Sequence, residues 1–497
     1  MTPEDIERLS YGNESIWLRL EEEVMQDIAR RIKQTGVVTR TADYQLNQIQ
    51  NLLGYSDQQM KTLLQETMNA SDEYIDRVFD EAIKTDYIDN KELYKAKGIN
   101  SIPFSKNSTM QMLLNTLKSQ SKGMHNFSGT LGFVINGNTG KRAIELSEYY
   151  KRILDDVMVA VASGGFDKAS ILKKAVSEMT TSGLRWIDYE SGHHNRVTVA
   201  ARRAVTTGLS QMAQKVSEYN AHELGTSHYE VAWHANARPT HREWHGQVWT
   251  REELVSVCGL GSVDGLCGAN CYHVYYPFIK GLSVRNWSDE WLKKQNELED
   301  TPKTFNDKQY TGYEATQRQR VIETRMRAQR ETIHLLKEGD GDPFDIMCAQ
   351  AKYRASMDEY VKFSKAMGLR EQRDRIYVDG KGKLMKSRQE IEAFKQHITS
   401  YNKTLGITIS NSGLVSIKLS DHIVQRAINR GVNAEHMIDT LTYPLDISKI
   451  KVDKNGWSQK VIGEYATIAI NPGDGTLITV YRTSRKIAVK LKQRKGK

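Results

Sequence analysis

Apolar residues recurring every four positions constrain this chain more than any other feature. Leu20, Val24, Ile28 and Ile32 stand at that spacing in LEEEVMQDIARRIKQTG, which lines them up on one face of a helix. NQIQNLLGY, DQQMKTLLQETMNAS and DEYIDRVFDEAIKTDYID continue the pattern, and residues 107–121 and 142–180 are expected to add more helix. Residues 1–183 therefore read as a helical body. Its apolar faces are narrow, which suits an assembly protein that packs on neighbours. No stretch approaches 18 consecutive apolar residues, so no membrane span is expected. The first residues lack the basic start and apolar run of a secretory signal. Four cysteines in 497 residues exclude a disulfide scaffold and point to a reducing compartment.

The pattern changes between 184 and 300. A short apolar element and a turn precede a long helix over about 195–222. HYEVAWHA then alternates, which predicts a strand ending near His234. The residues after it are dense in His, Trp and Arg, and three of the four cysteines follow with His273 beside them. This stretch reads as a compact α+β domain. Cys258, Cys267, Cys271, His273, His241 and His245 are the candidate ligands of a structural zinc ion, because thiolates and imidazoles in tetrahedral array suit that metal. His241 and His245 are four apart and can share a helix face. The spacing is not that of a Cys-x₂-Cys knuckle, so a second reading stays open. In it the cysteines are small buried hydrophobes, the histidines bond to backbone, and Trp233, Trp244 and Trp249 fill the core. HREWH at 241–245 is not H-E-x-x-H, so protease chemistry is not expected.

Residues 301–400 read as a helical arm, with a polar helix over 311–337, a second over 349–369, a turn at 378–382 and helix again over 386–403. Charge then concentrates at the end. Residues 401–497 hold 16 Lys/Arg and 7 Asp/Glu, equal to the whole chain's net charge of +9. A basic region of this kind suits a polyanionic partner such as nucleic acid. It reads as a small α+β domain: a short strand, a helix from about 420 stopped at Gly431, another helix, and two strands over 461–483 joined by Asn-Pro-Gly-Asp-Gly. His422, Arg426 and Arg430 form one stripe of the first helix, and Thr479, Tyr481 and Thr483 share a strand face opposite to Ile478, Val480 and Arg482. With Lys460 these residues suit metal-independent RNA cleavage, which requires no cofactor. His422 would serve as base or acid, and Arg426 and Arg430 would hold phosphate oxygens. The alternatives are a domain that binds nucleic acid without cutting it and a purely structural one. The fold class is multidomain and mainly α, with the central and C-terminal α+β domains set between or after helical segments.

WHANARPTHREWHGQVW, GLCGANCYHVYYPFIKG and GYEATQRQR resemble the phage minor capsid protein 2 family of minor head morphogenesis proteins. The resemblance covers roughly residues 1–375 and includes His234, Arg238, His241, Trp244, Cys267, Asn270, Cys271 and His273. Tyr272 stands where members commonly carry Arg. The family implies a virion component that meets the portal and other capsid proteins and phage DNA. It implies roles in head assembly, DNA packaging or DNA delivery, and a location in the phage head, with host cytoplasm during assembly. LSDHIVQRAINRGV and IGEYATIAINPGDGTLITVYRTS resemble toxin nuclease domains of the barnase, colicin E5 and RelE-like group. That likeness implies host RNA as a target, a separate immunity protein, and His422, Arg426, Thr479 and Thr483 lining the site.

Overall fold

The computed structural model describes residues 1–35, 42–123, 130–137, 140–162, 168–187, 194–268, 271–381, 423, 424, 426, 427, 430, 432, 434–453 and 456–495. The chain is mainly helical, with a central Cys/His/aromatic-rich α+β region and a distinct small C-terminal α+β sheet domain. It divides into two compact units, Met1–Thr324 with Tyr360–Gly380, and Arg325–Glu359 with Lys381–Lys497. Among the described residues no helix is long and apolar enough to cross a membrane.

In the first unit, α1 (Pro3–Thr35) opens on reciprocal bonds between Thr2 and Asp5, each backbone N–H donating to the other's side chain. Leu20, Val24, Ile28 and Ile32 are all buried, as their spacing predicts. α2 (Ala42–Asp89) and the short α3 (Lys91–Ala96) follow, then α4 (Ser108–Gly123). One core joins Ile6 of α1, Val78 and Phe79 of α2, Leu114 of α4, and Val205 and Leu209 of the helix at 197–223. A buried polar chain runs beside it. Trp17 Nε1 donates to Ser71 Oγ, Ser71 donates to Asn13 Oδ1, and Asn13 Nδ2 donates to the Ala201 carbonyl. These bonds satisfy groups that would otherwise be costly to bury.

The helix expected over 142–180 begins later than the sequence predicts. β1 (Thr130–Gly137) and β2 (Gly140–Glu145) form an antiparallel hairpin, with Phe133 opposite Ile144, and only then come α5 (Leu146–Ala162) and α6 (Lys168–Ser182). β3 (Arg185–Ile187) and β4 (His194–Arg196) complete a sheet of order β2-β1-β3-β4. α7 (Val197–Glu223) follows directly. Glu21 of α1, fully buried, accepts from Leu184 N and from Arg196 Nε, so it ties the sheet to the bundle.

The central region holds β5 (His228–Val231), α8 (Pro239–Arg242), β6 (Val248–Thr250), α9 (Arg251–Ser256) and β7 (Tyr275–Phe278), with sheet order β6-β5-β7. β5 is shorter than the alternation predicts and stops before His234. α8 is a single turn with Pro at its start, so His245 lies beyond it and the two histidines do not share a regular helix. α10 (Asp289–Asp300) and the β8 (Lys303–Phe305)–β9 (Lys308–Tyr310) hairpin lead to α11 (Gly312–Glu338) and α12 (Pro343–Met367). Mixed charge and few apolar positions suggest an extended arm or a partner-packed hairpin rather than a core, yet these helices carry buried apolar residues. Ile322, Met326, Ile333, Tyr360 and Phe363 are buried, and Tyr360 donates to Glu323.

The second unit's sheet is built from β10 (Asp446–Ile447), β11 (Lys451–Asp453), β12 (Gly456–Ile462), β13 (Ala466–Ile470) and β14 (Leu477–Arg482). Its order is β10-β12-β13-β14, and β11 pairs with β12. α13 (Ala434–Thr442) covers it, and α14 (Arg485–Lys495) follows. Met347 and Ala351 of α12 join Val424, Ala427, Met437, Val461, Ile468 and Val480 in one core. The expected helix over 386–403 and the expected strand before 420 lie outside the described residues.

Candidate metal centre

The central sheet brings distant residues to one point. β5 and β7 pair antiparallel, with Val231 opposite Tyr275. The residues just outside that pairing therefore meet, and the His234 and His273 rings lie 4.2 Å apart. Pro239 starts the single turn that carries His241, and its ring fixes the backbone there in a helical conformation. His245 N donates to the His241 carbonyl, and Gly246 N donates to Val231 O. Gly246 has φ +71, and a Cβ there would press on Leu292. On the other side, Cys267 turns the chain with φ +59, unusual for a residue with a side chain. Cys271 N then donates to Gly268 O, and Cys271 and His273 lead into β7.

His241, Cys271 and His273 are all buried, and one ligand atom of each lies within 4.8 Å of the others. His241 Nδ1 and His273 Nδ1 are 3.3 Å apart. Cys271 Sγ is 3.4 Å from His273 Nδ1 and 3.9 Å from His241 Nδ1. A tetrahedral zinc ion with ordinary Zn–N and Zn–S bonds sets N···N edges of about 3.3 Å and N···S edges of about 3.5 Å. Two edges match, and the third needs only a small shift of the thiol. The donor set fits, and the three residues could hold a metal ion.

The surroundings favour the neutral imidazoles that a metal needs. His241 Nε2 lies 2.8 Å from the Asp264 carbonyl. A carbonyl only accepts, so Nε2 carries the proton and Nδ1 presents its lone pair. Burial pushes His273 well below the ordinary imidazole range, lowers His241, and takes His245 down to about 3. Burial also raises the Cys271 thiol, against hydrogen bonds from the backbone of His273, Cys267 and Gly268. Metal binding would displace that thiol proton. Trp244 packs on both rings, at 4.6 Å from His241 and 4.9 Å from His273.

The other three ligand candidates stand elsewhere. Cys258 is buried among Tyr229, Trp244, Leu254 and Leu266 in an apolar cluster, and burial lifts its thiol to about 12. Cys267 Sγ lies 3.6 Å from the His273 carbonyl. His245 Nδ1 lies 3.4 Å from His273 Nε2, behind the ring rather than at the cluster. His245 Nε2 is buried without a hydrogen-bond partner among the described residues.

Sequence reasoning does not anticipate what the cluster borders. His234, His241, Cys271 and His273 line a cleft of about 750 Å³. Arg202, Arg203, Arg238, Arg320, Arg370 and Arg375 line it too, against Glu4 and Glu7. Those arginines are scattered between positions 202 and 375, so no local charge run announces them. Tyr272 also borders the cleft.

In the C-terminal domain, His422 lies outside the described residues. Arg430 Nη1 donates to Thr479 Oγ1 at 3.0 Å and to the Val480 carbonyl at 2.8 Å, and Arg426 Nη1 donates to Ile478 O at 3.3 Å. Lys460 pairs with Ala469, and Ala469 with Thr479, so Lys460 and Thr479 share a cross-strand row. Thr483 Oγ1 is 2.9 Å from Thr467 Oγ1, and Tyr481 is half-buried opposite Thr467. The expected face alternation breaks at one point. The β13–β14 register shifts between Ala469 and Ile470, so Ile478 is exposed while Val480 is buried.

A model of the phage minor capsid protein 2 family matches residues 1–362. No curated protein and no solved structure matches the chain.

Proposed function

The chain belongs to the phage minor capsid protein 2 family, and on that premise we propose that it acts in head assembly near the portal and in packaging or delivery of phage DNA. The family match over residues 1–362 carries the reading. The excess of basic residues over 401–497 supports a contact with nucleic acid. Portal protein and other capsid proteins are the expected partners, the phage head the expected location, and host cytoplasm the site of assembly. The test is sedimentation of infected-cell lysates through a gradient. The chain should travel with heads, and heads made without it should package less DNA. A chain that stays wholly in the supernatant would sink the proposal and favour a free cytosolic toxin.

A second reading concerns residues 401–497 as a ribonuclease effector. Arg430 in contact with Thr479, with Lys460 in the same row, gathers cations and a hydroxyl. The same bonds equally brace β14. The full chain should cut RNA but spare DNA in EDTA, and His422→Ala should abolish the cut. Intact RNA from several sources, tRNA included, leaves the bracing role.

A further inference from the structure

The metal cluster and the arginine-lined cleft are parts of one surface. Among the described residues three protein atoms converge, and no fourth His, Cys, Asp or Glu joins them. A zinc ion held by three protein ligands keeps a position for water or a ligand. All three residues border the cleft, so that position can open towards it. One thiolate and two neutral imidazoles leave zinc with net positive charge. Six arginines against two glutamates add to it. Arg202 pairs with Glu14, Arg375 with Glu7 and Glu323, Arg320 lies 3.9 Å from Glu7 and Arg238 lies 4.0 Å from Asp264, while Arg203 and Arg370 are exposed.

The geometry points to a zinc ion on His241 Nδ1, Cys271 Sγ and His273 Nδ1 that binds a phosphate group from the cleft through its open position. One phosphate oxygen meets the metal, and guanidinium forks take the others. The phosphate can be free or part of a DNA backbone. This site does not depend on the role in head assembly.

The test uses the purified full chain, stripped of metal and reloaded with cobalt(II), whose visible spectrum reports coordination number and thiolate ligation. One metal ion per chain is expected by elemental analysis. Cys271→Ser and His241→Ala should lose it, and Cys258→Ser should keep it. Because the first two changes could disturb the fold, Arg203→Gln and Arg370→Gln supply an independent arm. Inorganic phosphate and a short single-stranded DNA are each titrated against the cobalt spectrum. A shift with phosphate alone assigns a free-anion site, and a shift with DNA assigns a backbone site. Each arginine change should weaken the responding anion about tenfold with metal content unchanged. No bound metal in the wild-type chain, or a spectrum that neither anion moves, overturns the proposal.

Discussion

Single buried polar groups link separate elements of the first unit. Glu21 is fully buried and serves both Leu184 N and Arg196. Glu21→Ala should destabilise the first unit by roughly 3 kcal/mol, because it removes a buried carboxylate that accepts from both a guanidinium and a backbone N–H. Chemical denaturation followed by tryptophan fluorescence reads this, since Trp17 and Trp186 pack edge to face 5.7 Å apart. Glu230 offers a pH test. Burial raises its carboxyl above the ordinary 4.5, despite bonds from Asn286. The folded state therefore holds the proton more tightly than the unfolded one, and this contribution to stability is lost as pH rises through the folded value. The stability of Glu230→Gln relative to wild type should accordingly climb as pH rises above 4.5. A flat difference in melting temperature between pH 4 and pH 7, roughly the span over which such a carboxyl titrates, would contradict it.

Among the helices and strands, close approach overrides propensity. Gly208 sits inside α7, where Ala would ordinarily be the better helix former. A Cβ there would run into Ser121 of α4 and Phe79 of α2. Gly208→Ala should therefore lose about 1–3 kcal/mol rather than gain, as a urea titration would show. In the C-terminal sheet, Arg430 ties its segment to β14 through Thr479 and Val480. Arg430→Ala should lower the melting temperature of that domain, whereas a purely catalytic arginine would change activity and leave melting unmoved. The hairpin β1–β2 escapes a reading of the sequence because GKRAIE runs into a helical pattern without a break. Its partner strand, and not its own periodicity, makes it a strand.

Across the whole molecule, packing does not respect sequence order. Residues of α12 sit in the core of the C-terminal sheet domain, where Met347 and Ala351 pack with Val424 and Ile468. Deleting residues 401–497 should expose that face of α12, with increased binding of a hydrophobic dye and a tendency to aggregate. A truncated chain as soluble and as free of dye as the full one would show that α12 finds other cover.

The course of most helices, the family of the first 362 residues and the place where histidine and cysteine concentrate are all legible in the linear chain. Helical periodicity and motif spacing are local, so they can be read residue by residue. Which three of the six candidate ligands meet is a matter of folding in three dimensions. His241 and Cys271 are 30 residues apart, and the pairing of β5 with β7 and the turn at Cys267 bring them together. The same holds for the arginines of the cleft, drawn from positions between 202 and 375. Convergence of side chains depends on packing between elements, which no local pattern records.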